Sequence, residues 1–431
     1  MPYIVGPSIR RPADFYGRST PVARFFEIIG GTQVQSISVR GLRRAGKTSF
    51  LHYVTHAQVM ARYLPQPERY IIVYIDISAC RTPADFYQRV QQQLQHRLFN
   101  DGTAHRPVGH RPAASVTLFD LEMLLRQFSQ YRFVLLLDEF DHMHLEHFGQ
   151  DFLVELRALT SMWEYDLACV TASYWDLYHL GGRVGLPPTS PFYNIFHPSP
   201  LFLPGLGAET AVSLIEQPAQ RSSLTFTPEQ VEQILQMAGT LPFFVQATAA
   251  KWYQLLRQDR LPTGVAIQQL LINEMRPYFH QWWRNFDQVE QEMLRLMAQQ
   301  QARGGVANTA VLPNLLYTLH NFGLVVQERG RLFINGDLFA HWIERESPQY
   351  EDPQKAQPVT TYNPTNLRRV LVQYFDLEEL RTLCFDLQVD FDLLSGSSKG
   401  EKTRELVLYW QKRNQLERLV EAIRYERGAI I

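Results

Sequence analysis

Eight consecutive residues, Gly41-Leu42-Arg43-Arg44-Ala45-Gly46-Lys47-Thr48, leave this chain few folds to choose from. They fit G-x-x-x-x-G-K-[ST], a loop whose backbone N–H groups wrap a row of phosphates. Their flanks fit as well: Gln35–Val39 alternates like a strand, and Ser49–Val54 opens a helix. A strand, a glycine turn and a helix N-terminus in that order gather amide dipoles and a lysine around an anion. Lys47 would neutralise β/γ-phosphate charge and the Thr48 hydroxyl would ligate Mg²⁺, with Gly41, Gly46 and Ser49 in the same nucleotide-binding set.

A second motif follows downstream. Phe133-Val134-Leu135-Leu136-Leu137-Asp138-Glu139-Phe140-Asp141 is a continuous apolar run ending in acids. Without alternation it reads as a central parallel strand buried on both faces. Asp138 at its C-terminal end would hold Mg²⁺ through water, and Glu139 would polarise the attacking water. Taken singly, the motifs reduce to a glycine turn and an exposed strand end. Both together, in this order, point to a bound nucleotide and an ATPase.

A chain of 431 residues has room for about three domains. Its formal charge of −1 gives no global attraction to nucleic acid or an anionic membrane. No apolar run approaches the roughly 20 residues needed to span a bilayer, and Met1–Gly6 lacks the pattern of a signal peptide. Cys80, Cys169 and Cys384 are odd in number and far apart, which suggests reduced structural thiols in a cytoplasmic protein.

Along residues 1–204 strands alternate with helices. Tyr70–Asp76 and Leu167–Ser173 read as further strands, Thr82-Pro83 starts a helix, and residues 100–114 form a Gly/Pro/His-rich loop. The expected fold is a three-layer α/β nucleotide-binding core with a parallel sheet and ligands at the strand C-termini. Residues 205–280 read as a helical lid, in which Thr227-Pro228-Glu229-Gln230 spells a capping box and Gly239 ends a helix. Residues 281–346 combine helices with a short hairpin around Arg329-Gly330, the pattern of a winged helix-turn-helix. Residues 347–365 read as a linker. Residues 366–431 carry four apolar helix faces and make a small all-α domain, with Asp376 and Glu379 as a second capping box.

Phe15-Tyr16-Gly17-Arg18, the Gly41–Ser49 stretch and Leu137–Asp141 together resemble the STAND class of signal-transduction ATPases, in its prokaryotic AAA-like and archaeal-ATPase-like branches. Gly239-Thr240-Leu241-Pro242 stands where that class carries its lid motif, one residue longer than the shortest form. The resemblance implies ATP/ADP with Mg²⁺ between core, lid and winged helix, with Pro242 touching nucleotide and exchange or hydrolysis switching closed and open states. Asn335-Gly336-Asp337-Leu338 lacks the phosphate-sensing histidine of the eukaryotic immune branch. The tail from Glu379 to Leu394, extended by Lys402–Val407, resembles the effector-associated, death-like adaptor domains of bacterial conflict systems. That resemblance implies a partner effector with a like domain, often a protease, self-association on activation, and a role in antiviral defence.

Other residues keep two readings. Arg18 contacts either phosphate or the protein itself; Arg43 and Arg44 either sense the γ-phosphate or a neighbouring subunit, or are solvated loop charge. Thr171 and Ser173 either orient the lytic water or cap backbone groups. Asp141-His142-Met143-His144 reads as a polar loop edge rather than a metal site, and Trp282 and Trp283 as junction core. An alternative function is a DNA-bound, initiator-like ATPase using the winged helix. Against it, the candidate recognition helix Thr309–His320 contains no Lys or Arg with which to meet phosphates or guanine.

Overall fold

The computed structural model describes residues 1–100, 116–144, 147–258, 264–303, 317–328, 331–348, 364–387, 389–391, 394–396, 398–411, 413 and 416–427. The chain divides into two compact units, Met1–Pro348 and Gln349–Ile431.

In the first unit, β1 (Ile37–Arg40), β2 (Tyr70–Asp76), β3 (Arg132–Asp138), β4 (Asp166–Ser173) and β5 (Leu201–Phe202) form one parallel sheet in the order β2-β3-β4-β1-β5. One face is covered by α1 (Ser19–Ile29), α2 (Lys47–Val54) and α3 (Ala57–Tyr63). The other carries α4 (Pro83–Asn100), α5 (Leu118–Gln127), α6 (Gln150–Thr160) and α7 (Leu177–Arg183). Strand β3 shows why its sequence has no polar interruption. Phe133, Leu135 and Leu137 enter the core beneath α4–α7, while Val134 and Leu136 enter the core beneath α1–α3. A strand sandwiched in this way has no wet face on which to place a polar residue.

The register sets the chemistry. Asp76 lies beside Asp138, Leu137 beside Thr171, and Arg40 beside Ser173, so the strands end almost level. With β4 between β1 and β3, its C-terminal end stands between the phosphate loop and the acids.

Beyond the sheet, α8 (Ala208–Gln220), α9 (Pro228–Ala238), α10 (Pro242–Arg257) and α11 (Gly264–Asn285) build a third core around Leu214, Ile234, Val245 and Trp282. Thr227 and Gln230 form the expected reciprocal box at the start of α9, at 2.9 and 3.3 Å. The same core continues through α12 (Gln288–Ala302), α13 (Tyr317–Asn321), the antiparallel pair β6 (Val325–Glu328) and β7 (Arg331–Ile334), and α14 (Asp337–Glu346). Trp282 and Trp283 are buried within it. Most of the Thr309–His320 segment, the Arg329-Gly330 turn and the Asn100–Ala114 loop beyond Asn100 lie outside the described residues.

The second unit has α15 (Pro364–Tyr374), α16 (Leu377–Asp386), α17 (Lys399–Gln411) and α18 (Leu416–Arg427) around Leu371, Leu380, Leu383, Trp410 and Ile423. Asp376 and Glu379 exchange hydrogen bonds of 2.8 Å in each direction, capping α16 as expected. Most of the 347–365 linker lies outside the described residues. Among the described residues no helix is long and apolar enough to cross a membrane.

Candidate nucleotide site

The phosphate loop runs from the end of β1 into α2, and its backbone demands glycine where it turns. Gly46 has φ +87, and a Cβ there would stand 3.2 Å from the Arg18 guanidinium. The Lys47 ammonium donates to the carbonyls of Gly41 at 2.9 Å and Leu42 at 3.2 Å. Burial lowers its pKa, opposed by the charges of Asp141, Glu139 and Asp138. Arg18 crosses behind the loop, donating to the carbonyls of Ala45 and, at 3.2 Å, Pro204. Burial brings its pKa down only to about 10, so it is a cation at neutral pH. Arg18 is therefore a clamp on the loop's own backbone as well as a wall of the cavity beside it.

That cavity has a volume of about 270 Å³. Gly46, Lys47, Thr48, Ser49, Arg18, Arg43, Arg44 and Glu139 line its polar part. Ile4, Ile9, Phe15, Leu206, Leu214, Pro242 and Phe243 supply apolar walls. A cavity lined by both cationic and apolar side chains suits a molecule that carries phosphates and a planar base. The N-terminal segment is part of the wall. The Ile9 amide donates to Ser49 Oγ at 2.9 Å, so Ser49 spends its hydroxyl as an acceptor on protein backbone.

Arg43 and Arg44 part company. Arg43 is exposed, while its carbonyl accepts from Trp282 Nε1 at 3.1 Å. Arg44 adopts φ 69 and reaches towards α10 and α11. Its guanidinium lies 5.1 Å from the Phe243 ring centre and 5.3 Å from that of Tyr278, and donates to Gly6 O at 2.5 Å. Two successive loop residues are thus tied to α10 and α11, a role that loop spacing alone did not disclose.

Asp138 is 1% exposed. It accepts from Tyr74 Oη at 2.8 Å and from the Glu139 amide at 3.0 Å. Burial raises its pKa, against the Thr48 and Tyr74 hydroxyls that favour the carboxylate. The Thr48 hydroxyl at the start of α2 and the buried Asp138 carboxylate at the end of β3 are the hard oxygen donors Mg²⁺ takes, and a divalent cation would favour the charged form of Asp138. Tyr74 gave no signal in the sequence beyond its place two residues before the end of β2.

The two strand-end hydroxyls also separate. Ser173 Oγ donates to the Trp175 carbonyl at 2.7 Å, a backbone cap. Thr171 is fully buried, and its Oγ1 has no hydrogen-bond partner among the described residues. Glu139 and Asp141 converge on His142, while His144 turns away to the Ser78 carbonyl, 3.3 Å distant.

Residues 25–303 match the family described as novel STAND NTPase 2. The chain belongs to that family. Residues 367–428 of this STAND NTPase match effector-associated domain 7, which places an effector-associated segment on the same chain as the NTPase. Among solved structures it is similar to the Walker-type ATPase PABY2304 of Pyrococcus abyssi at 14% identity and TM-score 0.54, over 80% of this chain and 99% of that one. That likeness shows the parallel-sheet P-loop ATPase fold. Looser overlays are found with the Aeropyrum pernix ORC2 protein in its ADPNP–ADP complexes (14% identity, TM-score 0.43, 79% and 94% coverage). The Thermotoga maritima RuvB Holliday junction branch migration motor overlays at 14% identity, TM-score 0.36 and 77% and 97% coverage. No curated protein matches this STAND NTPase.

Proposed function

We propose that this STAND NTPase is a nucleotide-dependent signalling switch that binds ATP or ADP with Mg²⁺, hydrolyses ATP slowly, and recruits a separate effector through its C-terminal domain. The observation that carries the reading is the stitching of the phosphate loop to the lid by Arg43 and Arg44. A change in the phosphates held by that loop strains or relieves contacts to α10 and α11, so the two nucleotides differ in which lid arrangement they favour.

In this reading Lys47, Arg18, Gly41, Gly46 and the exposed Arg43 meet phosphate, Ser49 and Pro242 line the site, and Thr48 and Asp138 hold Mg²⁺. Bound Mg²⁺ neutralises charge on the β/γ-phosphates. Glu139 polarises the attacking water and takes its proton; water bonds to the γ-phosphorus as the β–γ bridging oxygen leaves with ADP. Residues 205–280 act as lid and 281–346 as a winged helix closing the site. Across a linker at 347–365, the death-like domain at 366–431 meets a like domain on a separate effector in cytoplasmic antiviral defence. ATP-driven self-association concentrates those domains.

The test is the nucleotide retained by purified wild type and by Lys47→Ala, with solution mass measured in ADP and in a non-hydrolysable ATP analogue. Retained ADP on a monomer that assembles with the analogue supports the switch. An equal mass in both states removes it.

A further inference from the structure

Just after β3 the chain ties a polar knot that nucleotide binding does not require. Glu139 adopts φ 51 and ψ 39, a left-handed conformation that a side-chain-bearing residue keeps only where its surroundings hold it. His142 Nδ1 stands 2.9 Å from Glu139 Oε2 and 3.5 Å from Asp141 Oδ1. Asp141 is anchored: its side chain is 9% exposed, and its Oδ2 accepts the Tyr174 amide at 2.8 Å, just past the end of β4. The Glu139 carboxylate is 40% exposed and lines the cavity, so water reaches it. One of its oxygens is nonetheless committed to an imidazole that a second, fixed carboxylate keeps in place.

A carboxylate oxygen engaged by an imidazole nitrogen at 2.9 Å aims its lone pair at that group rather than at a water. We propose that His142, anchored by Asp141, is a positioning residue that restrains Glu139 and thereby keeps ATP turnover slow. The proposal rests on Glu139 being the residue that polarises the attacking water. Tyr174 extends the connection beyond the site, since its hydroxyl donates to the Asn285 carbonyl at 3.2 Å and its ring lies 5.3 Å from that of Phe322.

Single-turnover hydrolysis of Mg-ATP by the full chain tests it, with ATP affinity measured alongside. His142→Ala is expected to hydrolyse about fivefold faster, the scale of releasing a half-exposed ion pair, at unchanged affinity. His142→Asn keeps a donor at the position of Nδ1 and is expected to remain slower than the alanine variant. If the alanine variant does not fold, His142→Leu replaces it. Glu139→Gln, alone or with His142→Ala, is expected to fall to background. An inactive Glu139→Gln together with unchanged or slower hydrolysis by His142→Ala overturns the restraint. Wild-type hydrolysis by Glu139→Gln overturns the reading beneath it.

Discussion

Lys47 shows how much one side chain carries at this site. Its ammonium is held by two carbonyls of its own loop, so it is already placed where phosphate oxygens would compete for it. Hydrogen bonds to charged groups contribute about 1.5–3 kcal/mol each, so Lys47→Ala is expected to weaken ATP binding about ten- to hundredfold by calorimetric titration. Glu139→Gln is expected to separate binding from chemistry, with affinity held while hydrolysis falls about a hundredfold or more, the usual scale for a general base. The pH response of the neighbouring knot follows from its shifts. Asp141 and Glu139 raise the His142 pKa from 6.5 to about 10, so its contribution is complete below pH 6.5 and disappears as pH climbs through about 10. His142 lowers the Glu139 pKa below 4.5, so that contribution is complete above pH 4.5 and is lost in acid. The difference in melting temperature between wild type and His142→Ala should therefore be largest between pH 4.5 and 6.5 and shrink towards pH 10.

At the scale of elements, the turn between α9 and α10 meets the end of β7 in a close junction. Asn335 accepts the Thr240 amide at 3.0 Å and donates to Thr240 Oγ1 at 2.9 Å and to the Gly323 carbonyl at 2.6 Å. Gly239 lies against it with φ 67 and ψ −147, and a Cβ there would come 2.3 Å from Asn335 Oδ1 and 2.7 Å from its backbone. No side-chain-bearing residue fits without moving one element off the other. Gly239→Ala should cost about 1–3 kcal/mol from backbone conformation alone, with the steric clash adding to it. Urea unfolding of the two proteins gives the difference.

For the whole molecule, the two compact units each have a core of their own. Removing residues 366–431 should leave ATP affinity within about twofold of wild type, since the described residues lining the site all belong to the first unit. The same truncation should abolish capture of the effector; retained capture would move the recruiting surface to the NTPase. Full-length protein lacking Asp376 and Glu379 side chains should lose stability in the C-terminal unit while binding nucleotide normally.

Local chemistry was legible in the order of residues. The phosphate loop and the acids at the end of β3 depend on spacing within one strand–turn–helix or one strand, and both capping boxes join residues three apart. The unbroken apolar run of β3 likewise announced a strand with two buried faces. Nothing of that kind announces Tyr74 on Asp138, 64 residues away, or Asn335 on Thr240, 95 residues away. Nor does it foretell which of two adjacent arginines stacks on Phe243 and Tyr278. Such contacts depend on strand order, on the register that levels the strand ends, and on how helices from distant parts of the chain close over them. By itself, then, the sequence determined the glycine loop, the doubly buried strand with its terminal acids, and the helix caps. The tertiary structure decided what restrains those groups, because periodicity and spacing describe one element at a time and a restraint is made between elements.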